Sequence, residues 1–124
     1  MLRKFSHAYH VPGTLSADLD IRFTVPSDCT LVHVSAVASN DSDATLALGS
    51  SDDTDGYLTA TAIGDVGSPA EFDRADFDGA LLSDTGNEFP RMAAGTVFVL
   101  ILDHDGASGT AAQNVTLVLT FAEG

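Results

Sequence analysis

The chain has 124 residues, with 18 Asp plus Glu against 5 Lys plus Arg, a formal net charge of −13 and a hydrophobic fraction of 44%. That length suits one domain, able to bury on the order of two thirds of its unfolded surface without a disulfide framework or structural metal. The charge argues against a nucleic-acid partner, because phosphates would be repelled; the apolar content argues against disorder.

No apolar run approaches the ~20 residues of a membrane span, so no membrane partner is expected. A single cysteine, Cys29, excludes an internal disulfide and a cysteine zinc cluster. The opening residues, MLRKFSHAYHVPG, are basic but lack the long apolar stretch of a secretory signal.

Residues 1–16 hold Arg3 and Lys4 and no acid, a local charge of +2, whereas the rest of the chain carries −15. Phe5 and Tyr9 give this segment something to bury. It reads as an N-terminal arm, able to dock on an acidic partner or on a neighbouring copy, with a strand expected over 4–11. Arg3, Lys4, Phe5 and Tyr9 are the candidate partner-binding residues, and residues 17–124 are read as one domain.

Residues 19–25, LDIRFTV, alternate apolar and polar side chains, the period of a half-buried strand. Pro26-Ser27-Asp28 supplies turn chemistry. Residues 30–38, TLVHVSAVA, predict a strand covered on much of both faces, with Val32, Val34, Ala36 and Ala38 on one side and Leu31, His33, Ser35 and Val37 on the other. Residues 44–49 predict a short strand with Leu46 and Leu48 on one face. Ser50 to Gly56 reads as an acidic loop before a strand over 57–63. Residues 64–95 are irregular, with a short strand or a turn of helix expected near Phe72 to Leu82. Residues 96–103, TVFVLILD, form the most apolar strand. A Gly- and Ala-rich loop leads to the last strand, 114–121, with Val115, Leu117, Leu119 and Phe121 on one face.

About eight short strands, no sustained helical period and regular turns predict an all-β chain: an antiparallel β-sandwich, jelly-roll-like, with an N-terminal arm. An immunoglobulin-like sandwich is the second choice, without a Trp or a cysteine pair to support it.

The residues offer no catalytic constellation. The chain lacks a G-x-S-x-G elbow, an H-E-x-x-H pair, a P-loop and a G-x-G-x-x-G turn. His33 reads as a satisfied sheet histidine, and Cys29, with no base nearby in sequence, as a small apolar residue. A cupin-like metal enzyme would need several strand histidines, and His33 is the one histidine in the strands read between residues 19 and 121. No enzyme activity, catalytic residue, metal or cofactor is therefore expected. Asp52, Asp53 and Asp55 before Gly56, and Asp103 and Asp105 before Gly106, have the donor chemistry for calcium, but Asp-Gly is also ordinary turn chemistry. Asn114-Val115-Thr116 fits a glycosylation acceptor and reads more simply as the start of a strand.

The run Phe23-Thr24-Val25-Pro26-Ser27-Asp28-Cys29-Thr30-Leu31, leading into Val32-His33-Val34-Ser35-Ala36, resembles the start of the sandwich in small tailed-phage virion proteins. Gly95 to Asp103 followed by Val115 to Phe121 is similar to the closing strands of such jelly rolls. In length, acidity and N-terminal segment the chain resembles phage capsid decoration (cement) proteins. That resemblance implies a structural virion protein, made in the host cytoplasm, that binds the outer capsid surface. It also implies a homo-oligomer, with a trimer favoured, that clamps neighbouring major capsid subunits. Because jelly rolls also host lectins, a carbohydrate- or receptor-binding module of a tail or head fibre is the alternative, with Tyr57 as its one plausible stacking platform.

Overall fold

Alternation along the chain becomes two sheets facing each other. The computed structural model describes residues 3–66, 68–73, 76–77 and 89–123. Its strands are β1 (Lys4–Thr14), β2 (Leu19–Thr24), β3 (Cys29–Val37), β4 (Thr45–Ser50) and β5 (Asp53–Ala62), then β6 (Ala70–Phe72), β7 (Arg91–Met92), β8 (Val97–Asp103) and β9 (Gln113–Glu123). There is no helix among the described residues. One sheet runs β1-β9-β3-β6, with β7 also on β3; the other runs β2-β8-β4-β5. The named pairings are all antiparallel. Setting aside the two-residue β7, this is the strand order of a jelly roll, in which eight strands make two four-stranded sheets.

The core lies where the inward faces meet. Leu31, Val34, Leu117, Leu119 and Phe121 from the first sheet are closed against Leu46, Leu48, Phe98, Leu100 and Leu102 from the second, all of them buried. The period-2 pattern of β9 accounts for its share, since Val115, Leu117, Leu119 and Phe121 all point inward.

Two expectations need correction. Strict alternation through β3 placed Leu31 opposite Val34. In the structure Val32 is an extra residue between Leu31 and His33, which pair with Phe121 and Thr120 in turn. The bulge resets the face, so Cys29 and Leu31 enter the core together with Val34 and Ala36, while His33, Ser35 and Val37 face outward, half-buried. The second correction concerns the acidic loop, which is a tight turn at Ser51 and Asp52, with β5 already begun at Asp53. Aspartates are poor strand formers, and they hid this half of the hairpin. Gly49 makes the arrangement possible: β5 carries extra residues against β4, and a Cβ at Gly49 would collide with the backbone of Asp53 and Thr54. Of the irregular segment, β6 supplies a short strand at Ala70–Phe72, and residues 78–82 lie outside the described residues.

Candidate functional site

The acid-free start of the chain is a strand over Lys4–Thr14, paired with β9 from Lys4↔Ala122 to Val11↔Val115. Its pattern, KFSHAYHVPGT, sends Phe5, His7, Tyr9 and Val11 inward and Lys4, Ser6, Ala8 and His10 outward. The segment expected as an arm is thus the first strand of the sandwich over these residues. Phe5 stacks on Phe121 with centroids 5.2 Å apart and planes within 14°. His7 lies 4.7 Å from Phe23 on β2, and Tyr9 lies 6.5 Å from it. Burial pushes the Tyr9 phenol up from its ordinary value. The four predicted residues therefore divide: Arg3 and Lys4 are exposed, while Phe5 and Tyr9 pack against the protein's own core.

The two ends of the sandwich differ. At one end, Leu58 on β5 and Phe72 on β6 are buried, and so is Phe77, with 1% of its surface exposed and its ring edge-on to Phe89. At the β1/β2 end no inward residue is fully buried: Phe5, His7, Tyr9 and Val11 on one sheet, and Leu19, Ile21 and Phe23 on the other, all remain half-exposed.

The sheet also brings together a surface that the sequence reading did not foresee. β1, β9 and β3 are neighbours in space although they stand at the two ends and the first third of the chain. Their combined residues contain one acid, Glu123 at the tip of β9. The outward face of this sheet is laid with Ser6 beside Thr120 (3.2 Å) and His10 beside Thr116 (2.9 Å), and further on with His33, Ser35 and Val37. On the far side His33 Nε2 meets Glu71 of β6 at 3.3 Å, the cross-strand partner expected of a sheet histidine. In a chain of net charge −13, the outward face of these three strands supplies no carboxylate of its own, and Glu71 of β6 stands at its border. Counting acids strand by strand would have flagged the three strands, but only the strand order makes them one surface.

In the loop after β8 the aspartates make turn contacts. Asp18, Asp103 and His104 form the one group among the described residues whose ligand atoms lie close enough to hold an ion. The Asp103 carboxylate accepts from the Asp105 and Ala107 amides at 3.3 Å, and Asp105 accepts from Ala107 at 2.9 Å. His104 Nδ1 stands 2.7 Å from Asp18, whose carboxylate also accepts the His104 amide. These contacts lower the Asp18 pKa and raise that of His104, in each case chiefly through their shared hydrogen bond. Asn114 accepts the Gly13 amide at 2.8 Å and donates to Ser39, so its side chain serves the bulge between β1 and β9. Tyr57 is half-buried, with its ring 6.1 Å from Phe98. Cys29 is buried, and burial, with Asp28 nearby, raises its thiol pKa, the setting of an inert cysteine.

No family model matches the chain, and no curated protein matches it in sequence. Among solved structures it is similar to a chain described as "Cyanophage Pam1 capsid asymmetric unit", with a TM-score of 0.55 and 12% identity, over 99% of this chain and 85% of that one. The likeness is one of fold, and it spans the whole sandwich, β1 included.

Proposed function

We propose that the protein is a structural component of a phage virion. It lies on the outer surface of the capsid with the acid-free face of β1, β9 and β3 against the shell. In this reading it clamps neighbouring major capsid subunits. The observation that carries the proposal is the charge distribution: the acids are spread over the rest of the chain, and the outward face of β1, β9 and β3 supplies none. The likeness in fold to a chain of a phage capsid structure supports the same reading. A clamp of this kind works by repetition, since modest contacts made by many copies at many joints resist expansion together. Arg3 and Lys4, exposed at the margin of the face, would pair with capsid carboxylates and fix its orientation.

Deleting the first ten residues is not a clean test, because it strips Phe5 and Tyr9 from the core. Placing carboxylates on exposed outward positions leaves the core untouched. The doubly substituted Ser6→Glu/His10→Glu chain, altered at two exposed outward positions of β1, is expected to stay folded and to lose cosedimentation with expanded capsids lacking the protein. Thr59→Glu, on exposed β5, is expected to keep it. Retention of binding by the double variant would overturn the proposal.

A further inference from the structure

Among the described residues the sandwich has four edges, and three are guarded against pairing with another chain. β5 carries Asp53 and Asp55, β2 carries the ion-paired Asp20 and Arg22, and β6 is three residues long with Glu71 at its centre. Charges and shortness are the usual protections of an edge. β1 is different. It has 11 residues, and between Lys4 and Pro12 it holds no Asp, Glu, Lys or Arg.

Which backbone groups this edge presents follows from one bond. The Glu123 amide donates to the Arg3 carbonyl at 2.8 Å, so the odd residues of β1 bond β9. The amides and carbonyls of Lys4, Ser6, Ala8 and His10 therefore face away from the sheet. Pro12, next in that series, has no amide and ends the ladder.

We infer that this edge pairs with the same edge of a second copy, antiparallel about a two-fold axis. The register that uses every free residue sets Lys4 against His10 and Ser6 against Ala8 of the second copy, and the reverse, over about 23 Å of strand. Three features favour a second copy as the occupant. The free ladder is complementary to itself. It is the acid-free edge of a chain that would repel its own copies elsewhere. Antiparallel crossing also carries the basic Arg3 and Lys4 toward the end of the partner's β1, where Asp18 opens the acidic part of the chain. The half-exposed seam of Phe5, His7 and Tyr9 against Phe23 would then face its own symmetry mate, closing the open end of the sandwich. The pairing joins two copies, whereas the resemblance to decoration proteins implied three.

The test needs no capsid, so it stands apart from the proposed virion role. Light scattering across the widest practicable concentration range is expected to show twice the chain mass at the upper end. Ala8→Pro removes an outward amide without touching a bond to β9 and is expected to weaken association by more than about tenfold. Ala8→Thr is expected to preserve it. Amide exchange of the wild-type chain gives a second readout that no variant can spoil: the Ser6, Ala8 and His10 amides should gain protection as concentration rises. A monomer at every concentration with those amides always exchanging freely would overturn the inference. So would a dimer that Ala8→Pro leaves unchanged.

Discussion

Phe5 distinguishes a strand of the sandwich from an arm held for a partner, and it does so in the isolated chain. Replacing a fully buried Phe by Ala costs about 3–5 kcal/mol. Phe5 is half-buried, so about half of that applies, and the stacked contact with Phe121 adds roughly 0.5–1.5 kcal/mol. The expected loss for Phe5→Ala is about 2–4 kcal/mol. For a domain of this length that corresponds to a Tm lowered by roughly 8–15 °C. Phe5→Leu keeps most of the apolar area but not the stacking, and should lose about 1 kcal/mol. The assay is urea unfolding followed by circular dichroism, with the m-value held as the control for two-state behaviour. The reasoning fails if Phe5→Ala unfolds within about 0.5 kcal/mol of the wild type, the range of an uninvolved surface position. That outcome would mean the ring is not part of the core.

Two further outcomes follow from the loop between β8 and β9. A Cβ at Gly109 would run into the Asp43 carboxylate, which accepts the Thr110 amide at 2.6 Å, so Gly109→Ala is expected to cost about 1–3 kcal/mol by thermal or urea unfolding. The His104–Asp18 pair is exposed and its effect is small, but its sign is fixed. The His104 pKa is raised, so its contribution is complete below the ordinary value of 6.5 and is lost as pH rises through the raised folded value; Asp18 is lowered, so its contribution is present above 3.8 and is lost as pH falls through the lowered one. His104→Gln should therefore narrow the Tm difference from wild type as pH climbs from weakly acidic to alkaline, and a constant difference would refute the assignment.

Much of the fold was legible because its signal is local. β2, β8 and β9 announce themselves by alternation or by continuous apolar character, and the structure places them within a residue or two of expectation. The exceptions have local causes too. One inserted residue, Val32, inverts the face of half of β3, and period-2 reasoning has no means of detecting an insertion without the partner strand. The aspartates at the start of β5 outweighed the better clue, a glycine on the opposite strand that lets the hairpin backbone cross closely. The candidate site was only half legible. The basic, acid-free character of the first 16 residues was plain, and so was the presence of aromatics. Whether Phe5 and Tyr9 wait for a partner or fill the protein's own seam depends on Phe23 and Phe121, which lie 18 and 116 residues further along the chain than Phe5. That information is non-local by nature.

Salt gives the two proposed contacts opposite signatures, and this follows from where the charges are. Pairing along β1 brings two chains of net charge −13 together through backbone bonds and an aromatic seam. Added salt screens the repulsion between the bodies and leaves the short-range attraction in place, so association of the isolated chain should strengthen as salt is raised. Docking through Arg3 and Lys4 onto capsid carboxylates is an attraction between exposed charges, which screening weakens. A face contact and an edge contact on the same strand are compatible in space, since the side chains of Ser6, Ala8 and His10 point out of the sheet while their amides and carbonyls point along it. One strand can therefore lie on a capsid by its side chains and hold a second copy by its backbone, and each contact is weakened by a different change of solvent.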